Sequence, residues 1–320
     1  MIDVHSHILW PKWLEIARAA GALPAGQHTV PGVPPPQWSL ESHLAAMDEH
    51  GIAASVLSWP RATDFLKGDA ARSMARALNE EHAEIVSRHP RRFGALAALP
   101  LDDMDATILE MAYALDVLGL DGVSCSTNID GVYLGDASFD DWFAEMNRRH
   151  ATLFIHPAAP KAVKEVSSGL NASILEFMFD ETRVVTNLVL SGAKKRFPNI
   201  RMICTHAGGT VPFLASRVSI LEPIFGAGPG RTVLNCEEVI EGLSSFYFDL
   251  TASTSAASLD AILHLVPVSK LLAGYDYPMM PSTTIAPAIE QLRRYQGLQE
   301  QDLQMIFREN AIRLFPRLAH

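Results

Sequence analysis

Eight short β-rich runs, separated by stretches of helical period, do more than any other feature to limit what this chain can become. The runs are IDVHSH (2–7), ASVLSW (54–59), FGALAALP (93–100), DGVSCST (121–127), TLFIHP (152–157), IRMICTH (200–206), FYFDLTAS (246–253) and LLAGYDYP (271–278). Between them lie segments such as LESHLAAMDEHGI, ARSMARALNEEHAEIVSRH, ATILEMAYALDVLG, FDDWFAEMNRRH and EFMFDETRVVTNLVLSGAKKRF. Their apolar residues recur at helical spacing, and Gly or Pro punctuates most of the joints. Alternating strand and helix demands a parallel sheet, because each helical crossover brings the next strand back in the same direction. Eight such units close into a (β/α)8 TIM barrel, an α/β fold. At 320 residues, 48% of them hydrophobic, the chain suits one barrel domain over 1–320. The Pro- and Gly-rich tract LPAGQHTVPGVPPPQW reads as an irregular loop insertion, about 21–38, lying over the barrel mouth.

Titratable residues fall on this map in a pattern. The first run, IDVHSH, alternates polar and apolar positions, so a strand would place Asp3, His5 and His7 on one face and Ile2, Val4 and Ser6 on the other. His5 and His7 end the first strand, His156 the fifth, His206 the sixth and Asp276 the eighth. All strand C-termini of such a barrel open onto one face, where the chemistry of the fold is found. Three imidazoles and a carboxylate make a donor set for a divalent transition metal. Taken singly, His156 before Pro157 reads as a strand cap and Asp276 as a turn residue. Taken together at strands one, five and eight, they read as a metal site. The other histidines, at 28, 43, 50, 82, 89, 150, 264 and 320, follow no such rule and are expected at the surface or in packing.

Composition excludes several function classes. The net charge of −10 is spread along the chain, and no basic run or aromatic-basic stripe offers a nucleic-acid surface. No apolar run is long enough to span a membrane, and the N-terminus lacks a secretory signal pattern. Three widely spaced cysteines, Cys125, Cys204 and Cys236, suit a reducing cytoplasm better than a disulfide framework.

The motifs IDVHSHILWPKW, FIHP, THAGGTVPFLASR, FYFDLTAS and AGYDYP together resemble the amidohydrolase superfamily, over Ile2 to about Phe315. More narrowly they resemble its aminocarboxymuconate-semialdehyde decarboxylase-like branch, which includes 6-methylsalicylate-type decarboxylases. DGVYLGDASFDDWFAEMNRR and EFMFDETR lean towards the members acting on aromatic acids. The resemblance implies one divalent metal ion per chain, Zn2+ or Mn2+, on His5, His7, His156 and Asp276. It implies that His206 stands beside the metal as an acid/base or carboxylate-orienting group. It also implies a homodimer in which Arg217 reaches into the neighbouring active site, where a guanidinium can grip a substrate carboxylate through two hydrogen bonds.

Dinuclear hydrolases of the superfamily carry a bridging Lys at the end of strand four, and DGVSCST has none, which favours one metal and the non-hydrolytic branch. Two departures bear on the substrate. The loop QHTVPGVPPPQW lacks the Arg with which semialdehyde decarboxylases hold a second carboxylate, and Gly209 stands where dihydroxybenzoate decarboxylases tend to have Glu. Trp10, Trp38, Trp59, Met279 and Met280 offer an apolar mouth for a small ring, or core. Non-oxidative decarboxylation of an ortho-hydroxy aromatic acid is therefore expected, with Asp276 or His206 delivering the proton. Hydrolysis of a lactone or amide, or hydration of a double bond, is the rival on the same architecture. A non-catalytic barrel protein would need lost ligands, and all four are present.

Overall fold

The computed structural model describes residues 1–22, 36–226 and 233–320. Most of the expected loop, residues 23–35, therefore lies outside the described residues. The eight runs form one eight-stranded sheet whose spatial order follows the chain. Its strands are β1 (Ile2–His7), β2 (Ala54–Ser58), β3 (Phe93–Ala97), β4 (Gly122–Ser126), β5 (Thr152–His156), β6 (Arg201–Cys204), β7 (Tyr247–Asp249) and β8 (Leu271–Leu272). Every neighbouring pair is parallel. Past β8 the chain continues along β1: Val4 N donates to Ala273 O at 3.0 Å, Asp276 N to His5 O at 2.7 Å and His7 N to Tyr277 O at 2.7 Å. These bonds close the barrel and lay the segment carrying Asp276 beside the two N-terminal histidines.

Inside the barrel, Ile2, Val4, Ala54, Val56, Leu96, Phe154, Ile203 and Leu272 pack into one cluster with Ala311, Leu314, Phe315 and Leu318 of the C-terminal segment. That segment stops the N-terminal end of the barrel, where Arg317 Nη1 donates to Phe93 O at 3.2 Å. A larger cluster fills the layer between strands and helices, with Trp142, Phe143, Phe246 and Phe248 fully buried in it. A core plugged at one end leaves the opposite, C-terminal face as the barrel's open end.

Three details depart from the linear reading. The registry of β1 against β2 slips between Asp3 and Ser6, so that three steps on β1 oppose two on β2. This bulge breaks the two-residue alternation. Asp3 does not share a face with His5 and His7: it turns with Ser6 towards Ser55, whose Oγ lies 3.3 Å from Asp3 Oδ2 and 2.8 Å from Ser6 Oγ. Strand eight stops at Leu272, so Asp276 stands in the segment beyond it with a left-handed φ of 57°. Finally, an unanticipated hairpin, Asn128–Ile129 against Val132–Tyr133, follows β4. Asp130 and Gly131 make its tip with φ of 52° and 82°, the positive values that a two-residue turn demands.

Candidate metal centre and acid–base site

His5, His7, His156 and Asp276 converge at the C-terminal end of the barrel. One ligand-capable atom from each lies within 4.8 Å of all the others. His7 Nε2 is 3.0 Å and His5 Nε2 3.4 Å from Asp276 Oδ1. The three imidazole rings stand edge to face, with centroids 4.9 to 5.3 Å apart.

Each ring is anchored by its other nitrogen. His5 Nδ1 meets Asp249 Oδ2 at 2.9 Å, His7 Nδ1 meets Ser58 Oγ at 3.1 Å, and His156 Nδ1 donates to Pro157 O at 2.9 Å. An acceptor on Nδ1 keeps the proton there and leaves the Nε2 lone pair facing inward, which is how proteins prepare imidazole for a metal. His5 Nε2 and Asp276 Oδ1 are buried with no satisfactory hydrogen-bond partner of their own. Orphaned buried polar atoms are costly. A three-nitrogen, one-oxygen donor set with two such atoms fits a divalent cation.

The charges of the cluster depend closely on one another. Burial works to lower the pKa of His5, but the carboxylates of Asp249 and Asp276 outweigh it and raise it to about 10. Burial lowers the pKa of His7, and burial with the neighbouring His7 and His5 holds His156 well below the ordinary range. Burial also opposes the charge on Asp276, yet His5 and His7 together hold its carboxyl well below its ordinary value.

His206 lies on the same rim, its ring centroid 5.2 Å from that of His5 and 5.9 Å from that of His156. It opens four consecutive left-handed residues, with φ of 49° at His206, 55° at Ala207, 73° at Gly208 and 64° at Gly209. Two of these are not glycine, and strain of this kind costs about 1–3 kcal/mol per residue and collects at functional sites. Gly209 is needed for a second reason: a Cβ there would sit 2.1 Å from Met178 O. Thr210 takes the N-cap position of the helix Val211–Phe225, as its sequence suits, but its hydroxyl bonds Thr182 Oγ1 at 2.8 Å instead of capping.

Arg217 is not part of this cluster. It sits exposed on the helix Val211–Phe225, and no carboxylate among the described residues pairs with it. Trp59 is core, packing edge to face on His7 and Trp13, whereas Trp10, Trp38, Met279 and Met280 are partly buried. His43 and His82 are buried packing residues, as their sequence positions suggested.

Sequence reasoning missed Asp249. It is fully buried at the end of β7, accepts from His5 Nδ1 through Oδ2, and accepts from the backbone N–H of His206 (3.1 Å) and Thr251 (2.9 Å) through Oδ1. Burial opposes its charge, but His5 and His206 hold its pKa below the ordinary value. The strand-end rule that singled out His5, His7, His156 and Asp276 would have singled it out in FYFDLTAS. Ser58, at the end of β2, obeys the same rule.

Comparison with known proteins adds to this geometry. A family model described as Amidohydrolase matches residues 2–317. A decarboxylase, yanB, of Aspergillus niger is 32% identical, with 99% of this chain and 87% of the relative covered. The 6-methylsalicylic acid decarboxylase of Penicillium expansum is 30% identical over 99% of this chain and 96% of its own. Among solved structures, a dihydroxybenzoic acid decarboxylase of Polaromonas with bound manganese and the inhibitor 2-nitroresorcinol superposes with a TM-score of 0.81. That match covers 100% of this chain and 99% of the other at 19% identity, and so speaks for the fold alone.

Proposed function

The chain belongs to the amidohydrolase family, and from that premise we propose that it is a metal-dependent, non-oxidative decarboxylase of a small aromatic acid with a hydroxyl ortho to its carboxylate. The observation that carries the reading is the inward convergence of His5, His7, His156 and Asp276, with each imidazole already anchored by its outer nitrogen. We assign these four residues as the ligands of one divalent ion. We name zinc for the imidazole-rich donor set, with manganese, which the Polaromonas structure holds, as the alternative.

When bound, such an ion supplies charge neutralisation and a chelating point for the carboxylate and its neighbouring hydroxyl. The protein's own residues do the rest. His206 is an imidazole outside the donor set whose Nε2 has no hydrogen-bond partner among the described residues, so it is free to carry a proton to the substrate. The proton adds to the ring carbon bearing the carboxylate. The C–C bond to the carboxylate then breaks, its electron pair returns to the ring, and CO2 leaves as aromaticity is restored. Asp276, held ionised by His5 and His7, serves as a ligand and orients the site. The partly buried Trp10, Trp38 and Met279 suit an apolar ring at the mouth.

Arg217 enters from a second copy in this reading. Phe213, Arg217, Ile220 and Ile224 fall on one stripe of the helix Val211–Phe225, and the three apolar members are exposed, Phe213 at 84%. An apolar stripe interrupted by one unpaired cation suits a homodimer whose guanidinium serves the neighbour's site. Inactive Arg217→Ala protein mixed with inactive His5→Ala protein should regain activity once subunits exchange. Exchange without activity, or a fully active monomer, overturns the dimeric reading. Three unpaired cysteines, two of them buried, are consistent with a cytoplasmic setting.

The deciding experiment is a panel of salicylates incubated with metal-loaded protein, with CO2 and the decarboxylated phenol both measured. Stoichiometric CO2 and phenol without O2 or nicotinamide support the reading. Turnover of lactones or amides, with no CO2 from any acid, replaces it with the hydrolase.

A further inference from the structure

One buried carboxylate has no part in the chemistry above. Glu181 is fully buried on the helix Glu176–Leu190, behind the acid–base histidine rather than among the ligands. Its Oε2 accepts the Thr205 hydroxyl at 2.7 Å, and the same Thr205 oxygen lies 2.9 Å from His206 Nδ1. Glu181 Oε2 is 3.9 Å from His206 Nδ1, too far for a direct bond. The hydroxyl between them has one hydrogen, and its geometry directs that hydrogen to Glu181 Oε2. Burial raises the Glu181 pKa, while His206 and the Thr205 hydroxyl work against that and favour the accepting carboxylate. Thr205 must therefore give its hydrogen to Glu181 and take one from His206. That holds a hydrogen on Nδ1 and leaves Nε2 facing the rim, where the doubly protonated ring carries the hydrogen it delivers.

The helix is pressed firmly against the turn that carries His206. Thr210 N donates to Thr182 Oγ1 at 2.9 Å, and the Thr182 hydroxyl donates to Met178 O at 2.7 Å. Gly209 passes so close to Met178 O that no side chain fits between them. On the opposite side, Asp249 accepts the backbone N–H of His206. Residue 206 is thus gripped through its backbone by one buried carboxylate and through its ring by another.

We propose that Glu181 and Thr205 form a positioning relay that sets the tautomer and ring angle of His206, and that the chemical step depends on it. This rests on the decarboxylase reading for the step that His206 serves, but the tautomer itself does not. The relay acts through hydrogen-bond direction: Glu181 touches no substrate, and its charge dictates which way the Thr205 hydroxyl points.

The test compares Thr205→Val, Thr205→Ser and Glu181→Gln in zinc-loaded protein. Histidine 15N spectra, with the His206 signal assigned by its loss in His206→Asn, should show a proton on Nδ1 in the unaltered protein. Thr205→Ser should keep that signature, and Thr205→Val should give mixed tautomers. On a substrate that the unaltered enzyme decarboxylates, Thr205→Val should lower kcat about 10- to 100-fold, in keeping with the weight of groups that orient a ligand or base, while KM and metal content stay within about threefold. Thr205→Ser should restore most of kcat, and Glu181→Gln should lower it without altering metal content. A Thr205→Val protein with an unchanged tautomer, or with kcat within threefold of the original, overturns the relay. So does a Thr205→Ser protein as impaired as Thr205→Val, which would make the effect one of packing. If no aromatic acid turns over at all, the decarboxylase reading fails, and the 15N spectra still decide the relay. Should Glu181→Gln not fold, the Thr205 pair decides it alone.

Discussion

Replacing Asp249 by Asn tests how the site is prepared for a cation. Asp249 makes three contacts as a pure acceptor: His5 Nδ1 at 2.9 Å on one oxygen, and the backbone N–H groups of His206 and Thr251 at 3.1 and 2.9 Å on the other. Asn has the same shape but one acceptor and one donor. Turned so that its NH2 meets the two backbone donors, it would create two repulsive contacts. Turned towards His5, it creates one. The second orientation wins, and the NH2 then faces a ring nitrogen that must give up its hydrogen. His5 has to move that hydrogen to Nε2, the atom aimed at the metal centre.

The magnitude follows from two independent scales. Losing a hydrogen bond to a charged group costs about 1.5–3 kcal/mol. Removing the partner of a metal-bound histidine typically costs 10- to 100-fold in metal affinity, or about 1.4–2.8 kcal/mol. The two ranges agree, so Asp249→Asn should raise the metal Kd about 10- to 100-fold. The assay is calorimetric titration of chelator-stripped protein with Zn2+, with circular dichroism to show that the fold persists. An Asp249→Asn protein that binds Zn2+ as tightly as the unaltered one refutes the argument that His5 is prepared through its Nδ1.

Further perturbations read other parts of the molecule. His206→Asn should retain its metal by elemental analysis and lose about 10²- to 10⁴-fold in kcat, the usual share of a positioned acid. Near-normal kcat would make His206 structural. Gly209→Ala combines a positive φ with a Cβ 2.1 Å from Met178 O, so it should cost at least about 3 kcal/mol in urea unfolding. A loss below 1 kcal/mol would mean that the turn gives way easily. His82 is fully buried on the helix Gly68–Arg88, and burial lowers its pKa to about 4 from an unfolded value of 6.5. The folded value is the lower one, so the unfolded chain takes up the extra proton. The stability tied to His82 is complete above about pH 6.5 and is lost as pH falls through about 4, amounting to about 2 kcal/mol by pH 5. Urea unfolding at pH 7.5 and 5 should show a smaller acid loss in His82→Leu than in the original protein. Equal losses would assign the acid sensitivity to other groups.

Much of this protein was legible in order along the chain. Eight runs spaced for strand and helix specify a parallel barrel, because the periods of 2 and 3.6 are local properties. Parallel strands then oblige His5, His7, His156, His206 and Asp276 to meet at one end, whatever their separation in sequence. Wherever chemistry sits at strand ends, the linear pattern carries it, and Asp249 was recoverable by the same rule. Three things only the folded chain decides. The bulge in β1 sends Asp3 away from His5 and His7, because registry depends on the partner strand β2 and not on β1 alone. Glu181 reaches Thr205 and His206 from a helix, through contacts that no strand-end rule marks, since a helix faces the barrel with whichever residues its packing selects. The exposure of Arg217, which the resemblance had placed in a neighbour's site, follows from which stripe of its helix the chain's own packing leaves to solvent. Local period is a property of the sequence, whereas direction across a sheet or between layers is settled only when surfaces from distant segments compete for the same space.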